Sequence, residues 1–302
     1  MEDACNPFLP FLSERSYNRI YGRSSVMRKK LTIIGVLSAL IIASYLIWLD
    51  ASVWSLHRYH IQSHVVQSAQ LPETFENVRI VFISDLHAYA KGYAGNLDKI
   101  LRTVNRQAPD ILIFGGDLVD EKASILTEDQ INELSNFLKL IDAPLGKFAV
   151  LGLDDLPQAD LVRQIYQLSD FELLENQVLD IYNTTGNPIR LAGLTPYLEG
   201  QTDLKFLGKD TGSFTLLISA LPDIVSRLTE QDADLILSGS THGGQVNLPW
   251  IGPMYKVGDM LHISGKFKIG DRTLIVSNGL ATSEFDYRLF ADPNLLSIRL
   301  IP

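Results

Sequence analysis

One uncharged run of 19 residues, Leu31 to Leu49, constrains the fold of this chain more than any other feature. It reads LTIIGVLSALIIASYLIWL. As a helix that rises 1.5 Å per residue, such a run is about 28 Å long, close to the hydrocarbon thickness of a bilayer. A buried core helix and a cleaved signal sequence that starts near Met27 are the alternatives. The length of the run and the poor cleavage site after Asp50 favour an uncleaved signal anchor, so we predict a transmembrane helix over 31–49.

The charges around this run predict its orientation. Residues 1–30 carry six basic and three acidic side chains, with Arg28, Lys29 and Lys30 directly before the run. The whole chain has a net charge of −9, so a net charge of +3 here leaves −12 for the remainder. The positive-inside rule then predicts a cytoplasmic segment at 1–30 and an extracytoplasmic domain at 50–302. The acidic balance argues against a nucleic-acid partner, and the single cysteine excludes an internal disulfide framework.

Beyond residue 78, helical patterns alternate with short apolar strands, and strands dominate towards the C-terminus. The predicted strands are 79–84, 110–114, 147–151, 172–174, 177–182, 189–194, 214–219, 235–237, 272–277 and 295–300, and the predicted helices are 97–107, 128–140 and 160–168. This succession predicts an α/β domain in which mixed sheets pack as a sandwich with flanking helices. No linker interrupts it, so residues 50–302 are predicted to form one domain.

Three of these strands end in polar clusters. Asp85 and His87 lie in the first, Asp117 follows two glycines in the second, and His242 lies in the third. Ligands bind at the carboxyl ends of strands in an α/β sheet, because the loops there carry polar groups beyond the packed core. Two carboxylates and two imidazoles that converge at one edge form a site for a divalent transition metal such as Mn, Fe or Zn.

Together and in this order, the clusters resemble the motifs of the calcineurin-like metallophosphoesterase superfamily, in its bacterial branch with an N-terminal membrane anchor. The motifs are SDLH, GGDLVD and THGGQ, and the resemblance runs from about Val78 to the C-terminus. It implies a four-layer sandwich of two mixed β-sheets flanked by helices. It also implies that Asp85, His87, Asp117 and His242 hold the first of two metal ions, and that the protein is single-pass in the cell (inner) membrane.

The side chains that this resemblance implies at the second metal ion are missing. Leu153 stands in place of an asparagine ligand, and Ala220 and Ser240 each stand in place of a histidine. Asp154 replaces the histidine that protonates the leaving group in the family. The flanking residues keep the family spacing, and the loss spares all four ligands of the first ion. We therefore predict a degenerate second site, one bound divalent ion, and Asp154 as the candidate catalytic residue.

Two interpretations of the function remain open at this point. The first is a membrane-anchored metallophosphoesterase that hydrolyses a phosphoester, such as a phospholipid or another envelope phosphodiester, by a metal-activated water. The loss of the second metal site would weaken this hydrolase. The second interpretation is a non-catalytic relative that binds a single metal or a phosphate-bearing ligand, or a membrane-associated scaffold. In both, residues 31–49 contact the lipid bilayer.

Two features near the C-terminus also need an interpretation. The run from Pro249 to Pro253 follows the third cluster and contains Trp250 and Ile251. It is compatible with a hydrophobic loop that faces lipid and equally with a loop that packs into the core. Arg288 resembles an arginine near the last strands of the family, which implies a structural role.

Overall fold

A computed structural model describes residues 14–90, 96–196, 204–208, 212–229, 232–255, 261–283 and 285–302, with side chains from residue 27 onward. The chain divides into two units, one up to Asp50 and one from Ala51 to Pro302. The first unit contains helix α1, Glu14–Leu49. The stretch Met27–His57 is long and apolar enough to cross a membrane, and none of its most apolar window is buried. It is therefore a candidate membrane span.

Among its described residues, the second unit contains two six-stranded mixed sheets and a two-stranded hairpin. Its strands are β1 His60–Gln67, β2 Arg79–Ile83, β3 Ile111–Phe114, β4 Lys147–Ala149, β5 Glu172–Leu173, β6 Gln177–Ile181, β7 Ile189–Leu194, β8 Thr215–Ser219, β9 Leu235–Ser238, β10 Asn247–Leu248, β11 Gly252–Pro253, β12 Gly265–Ile269, β13 Arg272–Val276 and β14 Asn294–Ile301. The sheet orders are β1-β14-β2-β3-β4-β5 and β12-β13-β9-β8-β7-β6. Its α-helices are α2 Leu97–Asn105, α3 Glu128–Lys139 and α4 Ala159–Leu168.

Apolar packing on both faces of the sheets explains the uninterrupted apolar strands. β3 is buried at every position, as a parallel strand covered on both faces must be. Phe82 and Phe214 belong to the core cluster that draws on both sheets, whereas Leu112 belongs to the cluster that the first sheet forms with α2, α3 and α4. The predicted fold class, two mixed sheets flanked by helices, is confirmed.

Besides the edge strand β1, two elements of the described part of the chain were not predicted from the sequence. The first is β12, an edge strand of the second sheet, in which the exposed Lys266 and Lys268 alternate with partly buried residues. It therefore lacks the continuous apolar run that marks the central strands. The second is the β10–β11 hairpin, whose strands have only two residues each.

The parallel strands place the polar loops at one edge. β2, β3 and β4 run parallel in the first sheet, and β7, β8 and β9 run parallel in the second. The loops after β2, β3, β4, β8 and β9 contain all the site residues predicted above. We call these carboxyl ends the site edge.

Asp292 joins the segment after α1 to the end of the chain. The Ser55 hydroxyl donates to Asp292 Oδ1 at 2.6 Å, while Arg58 Nη1 and His60 Nε2 lie 3.1 and 2.9 Å from Asp292 Oδ2. Burial alone would raise the pKa of Asp292, but the hydrogen bonds and the charge of Arg58 outweigh burial and lower it. The ionised carboxylate therefore stabilises the folded state.

Asp292→Asn is expected to destabilise the second unit at neutral pH and to do so less in acid. A carboxyl whose folded pKa is lowered contributes stability above its unfolded pKa, near 3.8, and that contribution is lost as the pH falls through the folded pKa. Urea unfolding of the detergent-solubilised full chain at pH 7 and pH 3 should show the smaller difference between variant and wild type at pH 3. An equal difference at both pH values would contradict this account.

Candidate metal centre

Three side chains at the site edge lie within reach of a single ion. Asp85 and His87 follow β2 and His242 follows β9, and each offers a ligand atom within 4.8 Å of the other two. All three are buried, and the two imidazole ring centroids are 5.0 Å apart. His242 lies 155 positions after His87 in the sequence, and the strand-end motifs predicted that these side chains converge. The carboxylate of Asp117 lies outside this 4.8 Å group.

The backbone at these residues adopts an unusual conformation. Asp85, His87, Asp117, Ser240 and His242 all have positive φ, between 43° and 64°. Non-glycine residues are uncommon in this left-handed region, and such conformations cluster at functional sites where the surrounding structure holds them. The tight turns allow side chains from neighbouring loops to converge.

His87 carries the clearest sign of a ligand. Neither of its ring nitrogens makes a hydrogen bond to a residue that the structure describes, although the residue is only 2% exposed, and only Nδ1 has carboxylates beside it. A buried polar atom left unpaired costs about 1–3 kcal/mol, a cost that coordination to a metal would remove. Nδ1 of the same ring lies 3.3 Å from Asp120 Oδ2 and 3.2 Å from Asp154 Oδ2. A carboxylate behind a metal-ligating imidazole fixes its orientation, so this arrangement fits a metal.

His242 also presents one nitrogen for ligation. Its Nδ1 lies 3.0 Å from the carbonyl oxygen of Ala281, an acceptor, and 3.3 Å from Arg288 Nη2, a donor. The shorter contact, to the carbonyl, favours the tautomer with the proton on Nδ1, in which Nε2 has a free lone pair. Burial, His87 and Arg288 lower the pKa of His242 well below its usual value. The Arg288 guanidinium donates to the carbonyls of His242, at 3.2 Å, and Ala291, at 2.8 Å. Arg288 thus supports the backbone of the loop that carries His242.

The centre has an excess of negative charge. Burial and the neighbouring Asp117 raise the pKa of Asp85 to about 7, and burial raises the pKa of Asp117. Burial lowers the pKa of His87, but the carboxylates of Asp120 and Asp154 beside Nδ1, with those of Asp117 and Asp85, outweigh burial and raise this pKa well above its usual value. These shifts mean that the cluster attracts positive charge, which a bound cation would supply in place of protons.

Protein groups hydrogen-bond both oxygens of Asp117. The backbone N–H of Asp154 donates to Oδ1 at 2.9 Å, and the Ser240 hydroxyl donates to Oδ2 at 2.8 Å. Ser240 also donates its backbone N–H to Asp85 Oδ1 at 2.8 Å. Ser240 therefore links the two carboxylates at the position where the sequence resemblance implies a histidine ligand.

At the other two positions where this chain lacks the ligands that the resemblance implies, apolar side chains lie at the site edge. Ala220 is 2% exposed, and its carbonyl oxygen accepts the backbone N–H of Gly239 at 3.1 Å. Leu153 is partly buried and directly precedes Asp154. Neither side chain can coordinate an ion.

Asp155 and Asp120 were not predicted as site residues. The buried carboxylate of Asp155 accepts four backbone N–H groups, from Gly152, Asp117, Leu118 and Val119, at 2.8 to 3.1 Å. It thereby fixes the loop that carries Asp117. A Cβ at Gly152 would lie 2.0 Å from Asp117 Oδ1, so only glycine fits there. Only their positions in the sequence could have indicated these two residues. Asp155 directly follows Asp154, and Asp120 ends the GGDLVD motif.

The fold and this acidic, histidine-bearing site define a metallophosphoesterase. A family model described as calcineurin-like phosphoesterase matches residues 78–244, which include every site residue predicted from the sequence. This chain belongs to the calcineurin-like phosphoesterase family, whose members depend on metal to hydrolyse phosphoesters.

Three curated relatives are similar over most of their length. The metallophosphoesterase YkuE of Bacillus subtilis is 25% identical over 79% of this chain and 84% of its own. The UDP-2,3-diacylglucosamine pyrophosphatase LpxG of Chlamydia muridarum is 26% identical over 71% of this chain and 78% of its own. The phosphodiesterase YaeI of Escherichia coli is 26% identical over 74% of this chain and 82% of its own.

Proposed function

We propose that this chain is a membrane-anchored metallophosphoesterase that binds one divalent ion through Asp85, His87, Asp117 and His242. The observation that carries the proposal is the unpaired, buried Nε2 of His87 beside Asp85 and His242. The family supplies the reaction class, hydrolysis of a phosphoester. The ligand set, two imidazoles with carboxylates, suits Mn, Fe or Zn.

Activation of water would depend on the bound ion, and proton transfer to the leaving group would depend on a side chain of this protein. A divalent ion at the centre would supply the Lewis acidity that activates water and neutralises phosphate oxygens. The Asp154 side chain is 24% exposed, whereas those of His87 and Asp120 are 2% and 5% exposed. Asp154 is therefore the carboxylate of this group that a substrate can reach, held in place by its N–H bond to Asp117. It would hold or donate a proton at the leaving oxygen as the general acid.

One specific contact favours the second candidate function. The Ser240 hydroxyl donates to Asp117 Oδ2, so a protein group already hydrogen-bonds the carboxylate that the resemblance implies between the two ions. With one ion, less of the phosphate charge is neutralised, which weakens an in-line displacement that normally has two ions about 3.5–4 Å apart. A non-catalytic relative that binds one metal or a phosphate-bearing ligand is therefore the alternative, as is a membrane-associated scaffold.

The proposed substrate is a phosphoester of the bacterial envelope. The candidate span in α1 and the positive charge before it support a single-pass protein of the cell (inner) membrane, with residues 1–30 cytoplasmic and 50–302 outside. The relative LpxG is named for a diacylated sugar nucleotide, which supports a substrate that carries acyl chains. The acidic chain argues against nucleic acid.

Metal content tests the centre directly. The purified full chain, incubated with Mn²⁺, Fe²⁺ or Zn²⁺ and then desalted, is expected to retain one ion per chain by elemental mass spectrometry. Two retained ions would contradict the degenerate second site. No retained ion of any of the three metals would contradict the centre itself.

A further inference from the structure

Three segments of the second unit expose large apolar side chains to solvent. Together they form what we call the apolar rim: Val53, Trp54, Trp250, Ile251, Phe285 and Phe290. Each of these residues is at least 44% exposed, and Trp250 is fully exposed. A cluster of this kind on an otherwise acidic, well-packed unit marks an interaction surface rather than chance exposure.

Backbone hydrogen bonds hold the three segments side by side. Arg288 donates its N–H to the carbonyl of Ala51 at 2.9 Å, which joins the segment after α1 to the segment 285–290. Leu289 donates to Gln245 at 2.8 Å, and Asn247 donates back to Leu289 at 2.9 Å, which joins the second segment to the hairpin. The three segments that carry the apolar rim are therefore adjacent to one another.

The hairpin places its apolar residues in solvent, so the loop does not pack into the core. β10 and β11 pair antiparallel, and Trp250 and Ile251 form the tip between them. Ile251 donates its N–H to Leu248 at 3.2 Å, which closes the turn. A Cβ at Gly244 would lie 2.4 Å from Pro253 Cβ, so the base of the hairpin packs two residues from His242. The apolar rim thus borders the metal centre.

We infer that the apolar rim lies in the interfacial layer of a lipid bilayer. The inference rests on the membrane anchor in the proposed function. Val53 is four residues beyond Leu49, the end of α1, so the extended chain allows at most about 14 Å between them whatever the arrangement of the two units. Tryptophan and other aromatic side chains favour the level of the lipid headgroups.

The charge of the chain identifies the kind of membrane contact. The second unit, residues 51–302, carries a net charge of −11, which repels anionic lipids, so the overall charge of this unit does not hold it at the membrane surface. Apolar insertion does not need that attraction, and it should operate equally on zwitterionic lipid. The metal centre, two residues from the base of the hairpin, then lies close to the level of the lipid phosphate groups, so the substrate class is a phosphoester anchored in the membrane by acyl chains.

Single-tryptophan variants of the full chain test this inference. The chain has three tryptophans, Trp48, Trp54 and Trp250. Replacing the other two by phenylalanine leaves Trp250 as the only reporter, in nanodiscs of phosphatidylcholine brominated on the upper acyl chain. Because interfacial side chains insert about 5–10 Å, we expect blue-shifted Trp250 emission that these bromines quench by roughly half or more.

Two further variants show whether a negative result reflects failure of the membrane anchor or failure of the contact between the apolar rim and lipid. Trp48 as the only tryptophan reports insertion of α1. Tyr182→Trp, with the three native tryptophans replaced by phenylalanine, reports the far edge of the second sheet, since Tyr182 follows β6 beside the start of β7 and is 58% exposed.

Quenching of Trp48 and Trp250 without quenching at position 182 supports the inference. Quenching of Trp48 alone overturns the interfacial rim and leaves the anchor intact. Unquenched Trp48 overturns the anchor, and with it the inference. Equal quenching at positions 182 and 250 would indicate non-specific adsorption and would also overturn the inference.

Discussion

Asp85→Asn is expected to abolish tight metal binding and to lower phosphodiester hydrolysis by about 10³-fold. The Lewis acidity of a bound ion contributes several kcal/mol to the transition state, and each 1.4 kcal/mol is tenfold in rate. Asparagine keeps the size of the side chain, and its carbonyl can accept the Ser240 N–H that Asp85 Oδ1 accepts at 2.8 Å. The variant should therefore fold while it loses the charged ligand.

The assay compares wild type, Asp85→Asn and the matched control Asp180→Asn. Asp180 is an exposed residue of β6, on the outer strand of the second sheet, so its replacement should change neither metal content nor rate. Hydrolysis of bis-p-nitrophenyl phosphate with Mn²⁺ gives the rate, and elemental mass spectrometry gives the bound metal. Unchanged metal content and rate in Asp85→Asn would show that the centre lies elsewhere.

One outcome of this assay separates the two candidate functions. The wild type could bind one ion, and Asp85→Asn could lose it, while neither protein hydrolyses a phosphodiester. The proposed ion site would then be supported, and the proposed catalytic activity would be contradicted. That result would favour the non-catalytic alternative, in which the Ser240–Asp117 bond has taken the place of the second ion.

The sequence was sufficient to locate the central strands and the three metal-capable side chains that meet. β2 and β3 are short, continuous apolar runs because both faces of these parallel strands are covered, and that pattern is visible without any tertiary information. Asp85, His87 and His242 directly follow such strands. Parallel strands of one sheet end at the same edge, which predicts the loops that carry these residues. The approach of His242, after β9, to Asp85 and His87, after β2, also depends on how the second sheet packs against the first.

The hydrogen bonding inside the site could not be derived in this way. The role of Asp155 depends on four N–H groups, three of which belong to the loop after β3, and nothing in the local sequence reports that approach. The Ser240–Asp117 bond joins residues 123 positions apart. Such contacts depend on how loops pack over the sheet edge, and side chains as small as serine leave no periodic pattern. The exposed hairpin tip at Trp250 was undecidable for the same reason.

Restoring the family residues at the second metal position is expected to restore a second ion and to raise hydrolysis by about 10²–10⁴-fold. The combined variant is Leu153→Asn, Asp154→His, Ala220→His and Ser240→His. Replacing Ser240 removes the hydroxyl that now bonds Asp117 Oδ2, so that oxygen becomes available to a second ion. A histidine at position 154 takes over the general-acid role proposed for Asp154. The gain therefore comes from the second ion, whose charge neutralisation contributes several kcal/mol, or about 10²–10⁴-fold in rate.

Metal content and rate measured on the same preparation decide the outcome of this restoration. Two retained ions with a faster rate would show that the chain lost catalytic power through these four positions. Ser240→His alone is the matched control, because it frees Asp117 but supplies only one new ligand, and it should leave the metal content at one. Ala220 is almost fully buried, so circular dichroism must show that the combined variant keeps its fold. A folded variant with one ion and an unchanged rate would mean that these positions do not correspond to the family's second site.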